Sequence, residues 1–218
     1  MPLILHNEIT ALQRRMLDLG ARVGEAVRGA ISALENHDLA LAARIVDADA
    51  EIDAEEVALE EACLKVLALH QPVAVDLRLI IAILKINNDL ERIGDFAVYI
   101  ARRIRPPAET ALPWPPQLGE LTTRAIYMVD GALDSFVRMD RDAARKLCHG
   151  GESFHRAYDA LYRAMTQALR TPEHIDPALE YIAAGRSLQR ICDHATNIAE
   201  DVVYMIDGIV VRHNRQAL

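Results

Sequence analysis

The stretch LERIGDFAVYIA, residues 90–101, returns without a gap as LQRICDHATNIA, residues 188–199, with seven of the twelve positions identical. A motif carried twice, about 100 residues apart, makes the chain a duplication of one structural unit. In both copies the apolar residues recur every three or four positions. That is the period of a helix face and not of a strand. Whatever this chain folds into must therefore place two related helices in equivalent surroundings.

The flanking segments give the size of the unit. The first carries a seam at Leu5, Ile9, Leu12, Met16, Leu19, Val23, Ala26, Ala30 and Leu34, spaced alternately four and three as far as Ala30 and then by four. This is the pattern of a long helix packed at a shallow angle in a bundle. NHD at 36–38 breaks it, and Asp38 is placed to cap a second helix over about 38–69. A third helix begins near HQPVAVDLR, with Pro72 in its first turn, where a missing N–H costs nothing, and runs to about Ile104. The segment RPPAETALPWPP, residues 105–116, holds five prolines and cannot be helix interior. Trp114 within it is suited to anchoring the linker on a bundle.

Three more helices follow. One carries Leu118, Leu121, Ala125, Met128, Ala132 and Ser135, one spans about 141–169, and one spans about 176–207 and stops near Gly208. The expected fold is all-α: two tandem, sequence-related three-helix bundles, residues 1–104 and 117–218, joined by a proline-rich linker over 105–116. A composition that is 51% apolar but only 5% aromatic favours packed helices over strands.

Charge and cysteine usage narrow the function. A net charge of −8 with scattered arginines offers no basic face for nucleic-acid phosphates. MPLILHNEIT lacks the basic start of a secretory leader. The longest apolar run, Leu79 to Leu84, falls far short of the roughly 20 residues of a membrane span. Cys63, Cys148 and Cys192 are odd in number and lack zinc spacing, which points to reduced thiols in a cytoplasmic protein.

The acidic residues carry the chemistry. Asp49, Asp53, Glu56 and Glu60 form one stripe on the second helix, beside Ile45, Ile52, Leu59 and Cys63. Glu91 and Asp95 lie one turn apart on the third, beside Leu90, Ile93, Ala97 and Ile100. A tight turn makes these helices antiparallel neighbours, so Asp49 and Asp53 come level with Glu91 and Asp95. Carboxylates that close repel one another or share protons. Water, the guanidinium groups of Arg92 and Arg102, or a hard oxygen-loving cation would relieve them. The second half has Glu152 for Asp49, Arg156 for Asp53, Gln189 for Glu91 and Asp193 for Asp95, with Asp159, His194 and Glu200 nearby in sequence.

These segments resemble the PhoU family, accessory and regulatory proteins of the high-affinity phosphate transport system. The likeness is carried by QPVAVDLRLIIAILKINNDLERIGDFAVYIA, by LQRICDHATNIAEDVVYMIDG and by DADAEID before them. The resemblance implies multinuclear clusters of divalent or trivalent metal ions (iron, manganese, zinc or magnesium) at acid-x-x-x-Asp pairs. Carried over, the ligands are Asp49, Asp53, Glu91 and Asp95 in the first half and Glu152 and Asp193 in the second, supported there by Asp159, Gln189, His194 and Glu200. Arg156 and Gln189 depart from the family pattern, as do Phe96 and Tyr99, where the family usually has His and Asn. The implied role is non-catalytic negative regulation of phosphate uptake, linking the transporter's ATPase to the phosphate-sensing histidine kinase. The family's proteins are usually homodimers, and membrane association comes only through partners. Two other readings stay open. A di-iron carboxylate oxidoreductase would need two Glu-x-x-His pairs, of which Glu152 and His155 supply one. A purely structural bundle would leave its acids solvated.

Overall fold

The computed structural model describes residues 3–106 and 112–211, with the helix path but not the side chains at 151 and 152. Linker residues 107–111 and the tail from 212 lie outside the described residues. The helices are α1 (Leu3–Asn36), α2 (Leu39–His70), α3 (Ala74–Ala101), α4 (Pro116–Arg138), α5 (Arg141–Cys148), α6 (Gly151–Ala168) and α7 (Ile175–Asp207). Among the described residues there is no strand. Over the described residues the fold is all-α, built from six helical rods of which the fifth is broken.

The sequence patterns explain these elements. Of the α1 seam, every residue but Ala26 is buried, and Met16, Leu19 and Val23 are fully so. Each large aliphatic side chain removed from water in this way contributes about 1.5–3 kcal/mol. Asp38 caps α2 as expected, its Oδ1 accepting the Leu41 N–H at 2.9 Å. Gly208, at φ 71°, ends α7 by accommodating the left-handed cap.

Two boundaries differ from expectation. Pro72 precedes α3 instead of opening it. Gln71 takes a left-handed conformation to cap α2, its N–H donating to the Leu67 carbonyl, and the chain then runs extended through Val73 before α3 starts. The expected helix over 141–169 breaks after Cys148. There the N–H groups of His149 and Gly150 fold back to the carbonyls of Lys146 and Leu147 at 3.3 and 2.9 Å. The adjacent glycines at 150 and 151 are the cause, since each costs about 1 kcal/mol in a helix interior.

α3 and α7 are the central helices. α3 packs on α1, α2 and α7, and α7 packs on α4, α5, α6 and α3. The halves meet through α3–α7 and α1–α4, so the two copies of the duplicated motif lie against each other. They run antiparallel. Lys85 Nζ reaches Asp201 Oδ1 at 2.8 Å, and four residues later Asp89 Oδ1 meets His194 Nδ1 at 2.7 Å and accepts from Asn197 Nδ2 at 3.1 Å. The linker is tied to the second half. Trp114 packs edge-on against Tyr181, with ring centroids 5.8 Å apart, and the Tyr181 hydroxyl donates to the Leu112 carbonyl.

Candidate functional site

α2 packs on α3, and Ile52, Leu59 and Cys63 of the one and Ile86, Leu90 and Ile93 of the other are all buried. The positions flanking this seam are then held level across the pair, and on one flank they are acidic. Asp49 lies within electrostatic reach of Asp53 on its own helix and of Asp95 and Arg102 on α3. Glu91 is likewise influenced by Asp53 and Glu56 across the pair. Across the pair, Asp49 thus lies near Asp95, and Asp53 near Glu91.

The negative charge of this face is only partly compensated, by Arg92 and Arg102. Burial raises the pKa of Glu91, and the Asp95 carboxylate raises it further, with Arg92 opposing. Burial also raises Asp49, aided by Asp53 and Asp95 and opposed by Arg102. Glu56 is raised by burial and by Glu60 and Asp53. Arg92 is the nearest compensation, with Nη1 3.3 Å from Asp95 Oδ2 and Nε 3.4 Å from Glu91 Oε2. The second contact is close enough to act through charge but is not aligned as a hydrogen bond, so Glu91 Oε2 is a buried acceptor without a donor.

A second orphan lies one turn away. Asn87 is 1% exposed and donates through Nδ2 to the Glu56 carbonyl at 2.9 Å and to Glu56 Oε1 at 3.0 Å, while its Oδ1 has no donor. Sequence reasoning did not single out Asn87. The signal was its place four residues before Glu91 on the same helix face. Two orphaned oxygens beside mutually repelling carboxylates are the donor set that a hard cation takes. Among the described residues, no three carboxylate, imidazole or thiol groups converge on a ready-made coordination point. The face therefore presents ligands on two helices without closing them into a shell.

The second half is built differently. Gln189, in the place of Glu91, is 5% exposed, and its Oε1 accepts from Arg186 Nη1 at 2.7 Å. Asp193 meets Arg190 at 3.5 Å, as Asp95 meets Arg92. The Glu152 side chain lies outside the described residues. Asp159 is exposed on α6 near Tyr158, and Glu200 lies near the Cys148 thiol. His194 is turned away from Asp193 toward Asp89 of α3 and lies against Phe96, with ring centroids 5.9 Å apart. Burial pushes the thiols up, Cys63 to about 11 and Cys148 to about 12, so both are protonated and inert near neutrality.

No described helix is long and apolar enough to cross a membrane. A family model described as the PhoU domain matches residues 16–104 and again residues 118–202. The phosphate-specific transport system accessory protein PhoU of Serratia marcescens is 33% identical over 208 residues, covering 94% of this chain and 86% of that protein. A PhoU homolog of Pseudomonas aeruginosa is 39% identical over 209 residues, with the same two coverages. Among solved structures, the phosphate transport system regulatory protein PhoU of Streptococcus pneumoniae superposes with a TM-score of 0.88 at 29% identity, covering 95% of this chain and 99% of that one. PhoU of Pseudomonas aeruginosa superposes with a TM-score of 0.86 at 35% identity, covering 94% and 99%.

Proposed function

The chain belongs to the PhoU family, and from that premise we propose that it is an accessory, regulatory protein of a phosphate transport system. In this reading it keeps the phosphate-starvation response off while phosphate is plentiful. It acts as a cytoplasmic homodimer that docks on the transporter's ATPase and on the phosphate-sensing histidine kinase. The observation that carries the reading is the end-to-end match: both halves of the chain and nearly its whole length align with relatives named for that role. The role asks for surfaces and not for catalysis. Long rods present broad helix faces to partners, and the ATP and phosphotransfer chemistry belongs to those partners.

The α2–α3 face is the proposed cation site. Asp49, Asp53, Glu91 and Asp95 would hold an iron, manganese, zinc or magnesium ion, and the orphaned Glu91 Oε2 supports that assignment. A bound ion supplies positive charge where Arg92 alone falls short. The carboxylates for their part bridge α2 and α3, so ion occupancy would stiffen that pair of rods and the surface they present.

The reading is tested in cells that lack this chain, with a phosphate-starvation reporter followed at high external phosphate. The reporter is expected to be on without the chain and to be switched off when the wild-type sequence is restored. A reporter that stays off without the chain would overturn the regulatory role.

A further inference from the structure

The two halves are copies, yet only one keeps a carboxylate face. Counted at the four matching positions, Asp49, Asp53, Glu91 and Asp95 carry a formal charge of −4, whereas Glu152, Arg156, Gln189 and Asp193 carry −1. The same offset pairs Asn88 with Arg186, Arg92 with Arg190 and Arg102 with Glu200, so with these included the first face carries −2 and the second is neutral. The local geometry follows the charge. In the first half the glutamate on α3 has a buried oxygen that the Arg92 guanidinium approaches to 3.4 Å without donating a hydrogen bond. In the second, the amide at the same position is buried and already satisfied by the Arg186 guanidinium at 2.7 Å.

A hard cation is held by anionic oxygens that exceed the local positive charge, and each arginine nearby acts against it. A guanidinium can also do the cation's structural work, because it is permanently charged and donates several directed hydrogen bonds. Resting on the cation site proposed above, we infer that the protein takes up its metal on the α2–α3 face alone. In the second half the Arg186–Gln189 pair and Arg156 replace the ion as the source of positive charge. The second face is then set permanently in the state that the first reaches only when loaded. One chain holds a single exchangeable site beside a fixed counterpart.

The test is manganese(II) binding to the full-length protein, purified without a chelating tag, stripped of metal and retitrated. Bound metal is read by elemental analysis and free manganese(II) by its electron paramagnetic resonance signal. Asp193→Asn is expected to leave stoichiometry and affinity unchanged, and Asp95→Asn to weaken binding at least ten-fold. The combined Arg156→Asp and Gln189→Glu variant, checked for helix content, is expected to bind more manganese per chain than wild type. A fall in stoichiometry in Asp193→Asn would overturn the inference while leaving the first-half site in place. A combined variant that folds and binds no more than wild type would overturn the role given to Arg156 and Gln189. A wild type that binds none would overturn the cation site itself, and the inference with it.

Discussion

Glu91 sits where burial and a neighbouring carboxylate disfavour its charged form. Burial and Asp95 raise its pKa, so it ionises less readily in the folded protein than in the unfolded chain. Its contribution to stability is therefore present when it is protonated and is lost as pH rises through its raised folded value. Glu91→Gln removes that penalty. In metal-free protein it is expected to raise stability at pH 7 by about 0.2–0.5 kcal/mol, the size of one i,i+4 like-charge pair. The advantage should close as pH falls toward the ordinary glutamate value of about 4.3. Denaturant melts of both proteins across that range check it, and a variant less stable than wild type at pH 7 would contradict it. Asp89 is a buried acid whose Oδ1 takes both the His194 ring nitrogen and the Asn197 amide. Asp89→Ala strands both donors and is expected to cost about 1–3 kcal/mol, measured in the same melts.

At the scale of elements, glycine on one rod makes room for a side chain of the next. A Cβ built on Gly20 of α1 would lie 2.6 Å from Leu133 Cδ2 of α4. Gly20→Val obliges the half-buried Leu133 side chain to swing aside and is expected to cost about 1 kcal/mol, the low end for overpacking, seen as a lower denaturation midpoint. The rods themselves were legible in sequence, because the α1 and α4 seams and the Asp38 cap are local patterns set by helix geometry. So was the nearness of Asp49 to Asp95 and of Asp53 to Glu91, since a short turn fixes the register of α2 on α3. The break in the fifth rod was missed because apolar periodicity resumes across it, although the glycine pair at 150 and 151 marks it. The contacts of Asp89 with α7 were not legible at all. They join residues more than 100 positions apart across two helices whose docking no local pattern specifies.

At the scale of the whole molecule, α3 and α7 make each half part of the other's core, with Lys85–Asp201 and Asp89–His194 spanning the boundary. The halves are therefore expected to melt in one calorimetric transition, and two resolved transitions would contradict that coupling. In the reading proposed above, the duplication would let one half respond to a cation while arginine fixes the other, with partners meeting the composite surface. The most direct measurement is the phosphate-starvation reporter at high phosphate in cells whose only copy carries Glu91→Gln with Asp95→Asn, set beside Asp193→Asn. The account predicts loss of repression in the first and wild-type repression in the second, at equal protein levels. Full repression by the Glu91→Gln, Asp95→Asn protein would contradict it.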